Sequence, residues 1–304
     1  MNKPIDIIIP YVNCWDPNWL NLASKNLKTI IYNSYRDLGT IKYFFRGIEV
    51  NMPWINNIYL VLQSNSQIPF WLNINHPKLK IIYHSDYIPQ KYLPTFNSYE
   101  IELFYYKIKG LTKQFIVAND DMIAIRPLIK EDFFNNGKIV YTTKKYENFT
   151  INECKTMYDI TLYNTVKAAG IITGKNNYTL YQHHHLFTPH FKCLYKLGWK
   201  KYKHGLLESF KHSKTRSTKN IIHYLFLYLA EELNLVENCE NYKEGYVDIF
   251  DNTIPEEIIK YLNNNQSKIC CLNDNFILTN DIAGKKIIST ILDFYLPNKS
   301  SFEL

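Results

Sequence analysis

The first 135 residues repeat one unit: a short apolar run, a polar break, then a segment with helical periodicity. The runs are residues 5–12 (IDIIIPYV), 58–62 (IYLVL), 79–83 (LKIIY) and 114–118 (QFIVA). Each is short and rich in Ile, Val and Leu, the pattern of strands covered on both faces. Between them, residues 40–51 and 99–109 read as helices. The second opens at Asn97 with Glu100 three residues on, a capping-box arrangement, and closes at Gly110. Such repeated units predict an α/β fold, Rossmann-like, with a mostly parallel sheet and helices on both faces. From 136 to 250 the strand signal fades into a helical insertion in the C-terminal half. Residues 218–236 are its clearest helix, apolar nearly all round in the first two turns and so buried. Residues 268–272 form a last strand. No repeat, low-complexity linker or Pro/Gly-rich boundary divides the chain. Residues 1–304 therefore read as one domain: an α/β part at 1–135, a mainly helical part at 136–250, and a strand and helix at 251–304 that complete the core.

A hydrophobic content of 46%, with 15% aromatic residues, is that of a globular protein and excludes disorder. The net charge of +7 favours anionic partners such as phosphates, nucleotides or an anionic membrane surface. No nucleic-acid-binding motif accompanies it, so no nucleic acid is expected as a partner. Six cysteines without a Cys-x-x-Cys pair read as reduced thiols of an intracellular protein. The N-terminal apolar run, interrupted by Pro4, Asp6 and Pro10, is too short for a signal peptide. The longest apolar segment, 221–230, contains His223 and falls short of the roughly 20 residues a spanning helix needs. A cytoplasmic protein is expected, with at most peripheral attachment to a membrane.

Three strand candidates end in the same kind of chemistry. Residues 5–12 run into Asn13-Cys14-Trp15-Asp16-Pro17, residues 114–118 into Asn119-Asp120-Asp121, and residues 268–272 into Asn273-Asp274. Ligands of α/β sheets sit at the carboxyl ends of strands. Adjacent carboxylates there suit a hard divalent cation that also binds phosphate. Taken singly, each block is as well explained by an Asx turn or a helix cap. If the strands are parallel neighbours, their acids and amides meet on one edge.

Arg216 stands just before Ser217 or Thr218, the expected N-cap of the long helix. A guanidinium beside unpaired helix N–H groups suits a diphosphate; a solvated arginine is the plainer alternative, as it is for Lys211, Lys214 and Lys219. His183-His184-His185 lacks zinc-ligand spacing, and three consecutive residues of regular backbone do not converge on one ion. One histidine of the run acting as acid, base or phosphate contact fits better. Glu102 lies at the edge of the apolar face made by Ile101, Tyr105 and Ile108, either exposed or turned toward a site.

Four blocks, in order, carry a resemblance to a known family. The first is residues 5–17 (IDIIIPYVNCWDP). The second runs through 35–37 (YRD), 41–46 (IKYFFR), 53–55 (PWI), 68–72 (IPFWL) and 93–98 (LPTFNS) to Glu102 and 119–121 (NDD). The third is 185–189 (HLFTP) followed by Arg216, and the fourth is 271–274 (CLND). Together they resemble the Stealth family of sugar-phosphate transferases. That family includes bacterial capsular polysaccharide phosphotransferases and the animal enzyme that tags lysosomal glycoproteins with N-acetylglucosamine-1-phosphate. The chain departs from the family pattern at Pro10, usually a hydroxyl residue, at Asn13-Cys14, commonly Asp-Gly, and at Asn220, often Asp.

The resemblance implies transfer of hexose-1-phosphate or N-acetylhexosamine-1-phosphate from a nucleotide sugar to a hydroxyl of an acceptor glycan. The product is a phosphodiester of capsular or cell-surface polysaccharide, and the nucleoside monophosphate leaves. It implies Mg²⁺ or Mn²⁺, with Asp120, Asp121 and Asp274 as metal ligands. His185 is the favoured general base, or else a contact to the transferred phosphate. Arg216 neutralises the diphosphate, Asp121 is a catalytic carboxylate as well as a ligand, and Glu102 orients the acceptor or shares in proton transfer. Asn13, Asp16, Arg36, Arg46, Asn119 and Asn273 shape the nucleotide-sugar pocket. A lipid-linked oligosaccharide acceptor would place the protein at the inner face of the membrane. The nearest rival is a metal-dependent glycosyltransferase, which cuts the anomeric C–O bond and releases a nucleoside diphosphate. A non-catalytic carbohydrate-binding protein would leave the convergent acids unexplained.

Overall fold

The computed structural model describes residues 3–141, 143–175, 179–183, 185–211, 213–238, 245–276 and 281–304. His184, Cys239 and the side chain of His183 lie outside that description. The apolar runs form β1 (Ile5–Pro10), β2 (Ile58–Leu62), β3 (Leu79–Tyr83) and β4 (Gln114–Val117). All four are parallel, in the order β4-β1-β2-β3. Every residue of β2 is buried, so both faces of the sheet are covered.

Four helices fall among these strands: α1 (Pro17–Asn26), α2 (Thr40–Asn51), α3 (His84–Tyr87) and α4 (Ser98–Leu103). The last is shorter than its sequence pattern. Asn97 caps it by accepting from the Tyr99 N–H, but Glu100 takes the Thr95 hydroxyl instead of closing a capping box. The buried rings of Phe104 and Tyr105 draw the chain inward, and it continues as a 3-10 turn over Tyr105–Lys107 before Gly110 (φ 85°) reverses it.

Beyond β4 come β5 (Met122–Ala124), β6 (Phe134–Asn135), β7 (Lys138–Tyr141), β8 (Thr143–Tyr146), β9 (Leu180–His183), β10 (Thr188–Phe191), β11 (Val236–Asn238), β12 (Tyr246–Ile249) and β13 (Ile269–Asp274). The region expected to be mainly helical is thus richer in strands than its sequence suggests. The reason is length: strands of three or four residues are too short to display alternation. β10 joins the central sheet antiparallel to β4. β13 does not join it, but pairs with β12 and, antiparallel, with β5.

The helices α5 (Met157–Thr173), α6 (Lys192–Phe210) and α7 (Leu225–Glu232) pack against one another. They are followed by α8 (Pro255–Asn264) and α9 (Asp281–Tyr295). The helix foreseen at 218–236 is therefore only α7; residues 217–224 are turns and irregular chain. Side chains have taken over backbone hydrogen bonds there. Asn220 Oδ1 accepts from the Ser217 N–H at 2.7 Å, and Thr165 Oγ1 accepts from the Ile222 N–H at 3.1 Å.

Two features fix the frame. At the amino edge of the sheet, fully buried Asp6 accepts from Thr112 N at 2.8 Å, Asn56 Nδ2 at 2.8 Å, Asn57 N at 3.1 Å and Asn57 Nδ2 at 3.2 Å. It ties the loops that lead into β2 and β4. In addition, α2 presses on β5 so closely that a Cβ at Gly47 would lie 2.6 Å from the Ala124 carbonyl oxygen. Only glycine admits that approach, which seats the second sheet beside the first.

Candidate active site

The strand order reverses between β1 and β4, and such a reversal opens a crevice at the carboxyl ends of the strands. Asn119, Asp120 and Asp121 occupy that place, in the turn where the chain leaves β4 for β5. The Asn119 carbonyl closes the turn by accepting the Met122 N–H at 3.1 Å. β13 crosses at this turn, its Leu272 N–H donating to the Asp121 carbonyl at 3.0 Å. The end of β4 and β13 therefore meet, although β13 belongs to a different sheet, whereas Asn13 and Asp16 after β1 are held by Ser66 and Gln67.

The acids there are crowded. Burial, then the charges of Asp121 and Asp37, pushes the Asp120 carboxyl well above the usual range. Asp121 Oδ2 accepts from the Cys271 thiol at 3.3 Å, while its buried Oδ1 has no partner among the described residues. Donor atoms of Asp121, His185 and Cys271 lie within 4.8 Å of one another, a grouping that fits a divalent cation. The orphaned Oδ1 and the repulsion at Asp120 are both features that a cation would relieve. His185 Nε2 lies 3.5 Å from Asn119 Nδ2. Burial holds the His185 pKa below its ordinary value. The charges of Asp121 and Glu102 act against that shift, and those of Arg216 and His223 act with it.

Asp274 is otherwise engaged. Its two oxygens accept from Arg36 Nε and Nη2 at 2.5 and 2.6 Å, and Arg36 Nη1 reaches Asp281 at 3.0 Å. Arg36 and Asp274 thus brace each other rather than standing free toward a ligand. Arg46 is also committed, gripping Glu303 in a two-pronged pair at 2.8 and 3.0 Å and the Leu296 carbonyl at 3.0 Å. Asp16 caps α1 and accepts from Ser66 and Gln67, both at 2.6 Å. Burial would raise its pKa, but these bonds outweigh it and the value falls. The Asn13 backbone is held by the Gln67 amide, and Asn273 donates to Asp248 at 2.7 Å.

Arg216 is exposed, its Nε donating to Ser98 Oγ at 3.0 Å and its guanidinium 5.1 Å from the Tyr99 ring. It stands nine residues before α7, not at a helix N-terminus, so its setting differs from the one foreseen. Glu102 is buried and faces His223, whose Nδ1 lies 2.5 Å from Glu102 Oε2. His223 went unassigned in the sequence, although an imidazole inside the apolar run 221–230 was the available signal.

Glu100, on the same short helix, has a different character. It is buried, and burial pushes its carboxyl from about 4.5 up to about 7, against the pull of the Thr95 bond and the Lys214 charge. The folded chain keeps this proton where the unfolded chain gives it up. That stabilisation is complete below pH 4.5 and is lost as the pH rises through 7. Urea titrations at pH 5 and 8 should show Glu100→Gln matching the wild type at the lower pH. At the higher pH the variant should be more stable by about 2 kcal/mol. An unchanged difference between the two would contradict the assignment.

Fold and site together define an α/β enzyme with an acidic, histidine-bearing crevice at the carboxyl edge of its sheet. Residues 34–142 match the family model described as Stealth protein CR2, conserved region 2. Over 100% of both chains, this one is 31% identical to the capsular polysaccharide phosphotransferase WcwK of Streptococcus pneumoniae. It is 30% identical to the receptor polysaccharide phosphotransferase WefC of Streptococcus oralis, again over 100% of both. The chain belongs to the Stealth family and is a transferase. A solved structure of the bifunctional glycosyltransferase WbbM, in apo form, aligns with 89% of this chain and 46% of its own, at 9% identity and a TM-score of 0.39. No helix among the described residues is long and apolar enough to cross a membrane.

Proposed function

We propose that this protein transfers hexose-1-phosphate or N-acetylhexosamine-1-phosphate from a nucleotide sugar to a hydroxyl of a glycan or lipid-linked oligosaccharide. The setting is bacterial capsular or cell-surface polysaccharide synthesis, at the inner face of the membrane. An acceptor oxygen attacks the sugar-bearing phosphorus in line, the diphosphate bridge breaks, and the nucleoside monophosphate leaves. Such chemistry needs positioning and charge stabilisation more than covalent help from the protein.

The observation that carries this reading is the crowding of Asp37, Asp120 and Asp121 at the strand reversal, beside His185 and within electrostatic reach of Arg216. Asp120, Asp121 and His185 would hold Mg²⁺ or Mn²⁺, with the Cys271 thiol completing the group. An imidazole and a thiol among the donors favour Mn²⁺ over Mg²⁺. The cation would offset charge on the donor diphosphate. Arg216, free of any carboxylate partner among the described residues, would neutralise the same diphosphate. Arg36, with Asp274, keeps the β1 and β13 ends in register, and Asn13, Asp16, Asn119 and Asn273 shape the pocket around the donor.

Full-length similarity to two streptococcal phosphotransferases supports the reaction class. The test is to incubate purified protein and Mn²⁺ with UDP-linked N-acetylglucosamine, N-acetylgalactosamine and galactose and with GDP-mannose, in the presence of acceptor glycans. Release of UMP or GMP is expected. UDP or GDP without monophosphate would mark a glycosyltransferase instead.

A further inference from the structure

We propose that His223, held by Glu102, is the base that takes the proton of the acceptor hydroxyl, an inference that rests on the function proposed above. With a cation held by Asp121, His185 and Cys271, the imidazole lone pair would be committed, and His185 would be poorly placed to accept a proton as well. The Glu102–His223 pair supplies the missing part. A carboxylate only accepts, so its contact with Nδ1, 2.5 Å long, puts the proton on Nδ1 and leaves the lone pair of the neutral ring on Nε2.

That Nε2 is buried and has no hydrogen-bond partner among the described residues, a costly arrangement in a resting protein. The ring is not sealed into the core, since 12% of the side chain stays exposed. It lies 5.3 Å from the His190 ring, whose Nε2 is 3.2 Å from Thr188 Oγ1, and Thr188 pairs with Val117, two residues before Asn119. Position is fixed on both sides: α4 carries Glu102, and α7, buried from Leu225 to Ala230, anchors the chain two residues after His223. The His190 and Tyr224 rings flank it at 5.3 and 4.6 Å. Carboxylate, imidazole and vacant nitrogen form the orienter–base arrangement seen where a hydroxyl must be activated.

In the step, the acceptor O–H bond breaks and its proton passes to Nε2. The freed electron pair forms the new O–P bond. The bond from that phosphorus to the bridging oxygen breaks, and its electrons leave on the nucleoside monophosphate. Glu102 stabilises the imidazolium until the proton returns to solvent.

The test compares wild type, His223→Gln and Glu102→Gln, each with a melting curve, using Mn²⁺, the nucleotide sugars above and two acceptors. One acceptor is a native-type glycan. The other is acidified by fluorine on the carbon next to the reacting hydroxyl, so that it needs less help from a base. His223→Gln should lower kcat with the ordinary acceptor on the order of 10²–10³-fold, with donor KM within about threefold. The fluorinated acceptor should recover at least about tenfold of that loss, and Glu102→Gln should show the same pattern less strongly. An unaltered kcat in His223→Gln, or an equal loss with both acceptors, overturns the proposal. If His223→Gln does not fold, the same comparison in Glu102→Gln decides it. Wild type that releases no monophosphate would instead overturn the function on which the proposal rests.

Discussion

Replacing Asp121 by Asn is expected to cut turnover on the order of 10²–10³-fold without unfolding the protein. The side chain contributes one oxygen to the group with His185 and Cys271, and a buried oxygen of the same carboxylate has no partner among the described residues. Nothing in the packing depends on that buried oxygen, so the amide fits the same space. Loss of the charge also relieves the repulsion that raises Asp120, and the variant should melt no lower than wild type. Mn²⁺ should raise the melting temperature of wild type, because a ligand that binds only the folded chain stabilises it. That rise should vanish in Asp121→Asn. Normal turnover with an undiminished Mn²⁺ response would remove Asp121 from the site.

The opposite behaviour is expected at the other edge of the sheet. Asp6 is fully buried and satisfies four donors from Thr112, Asn56 and Asn57. Asp6→Ala leaves all four without an acceptor, and Asp6→Asn turns an amide NH₂ toward some of them. Each orphaned donor carries a desolvation cost of about 1–3 kcal/mol. A combined loss of about 3–5 kcal/mol is expected for Ala and somewhat less for Asn. For a chain of this length that lowers the melting temperature by roughly 5–8 °C. Activity per folded molecule should survive, since the substitution lies at the far end of the strands from the crevice. A shift under about 2 °C would contradict this account of the frame.

The contrast between these residues reflects what a sequence displays. β1 to β4 were legible almost to the residue because strands buried on both faces spell out unbroken apolar runs. α2 was equally plain, bounded by Gly39 and Pro53. β10 was not, since Thr188-Pro189-His190-Phe191 carries neither alternation nor a β-branched core, and its place beside β4 is set by tertiary packing. The overlong helix at 218–236 failed because propensity does not reveal that Asn220 and Thr165 will satisfy the backbone.

At the site, the three acidic strand ends were visible, but their partners were not. Spacing does not show that Asp274 would be taken by Arg36, or Arg46 by Glu303, 257 positions away. Nor does it join Glu102 to His223 across 121 positions.

The fate of a single phosphorus atom tests the function most directly. A donor such as UDP-N-acetylglucosamine, or whichever nucleotide sugar is consumed, is prepared with ³²P at the sugar-bearing phosphorus. After reaction with Mn²⁺ and acceptor, transfer of sugar phosphate requires the label in the glycan as a phosphodiester, with unlabelled nucleoside monophosphate in solution. Label recovered in a soluble nucleoside diphosphate, with none in the glycan, would contradict it.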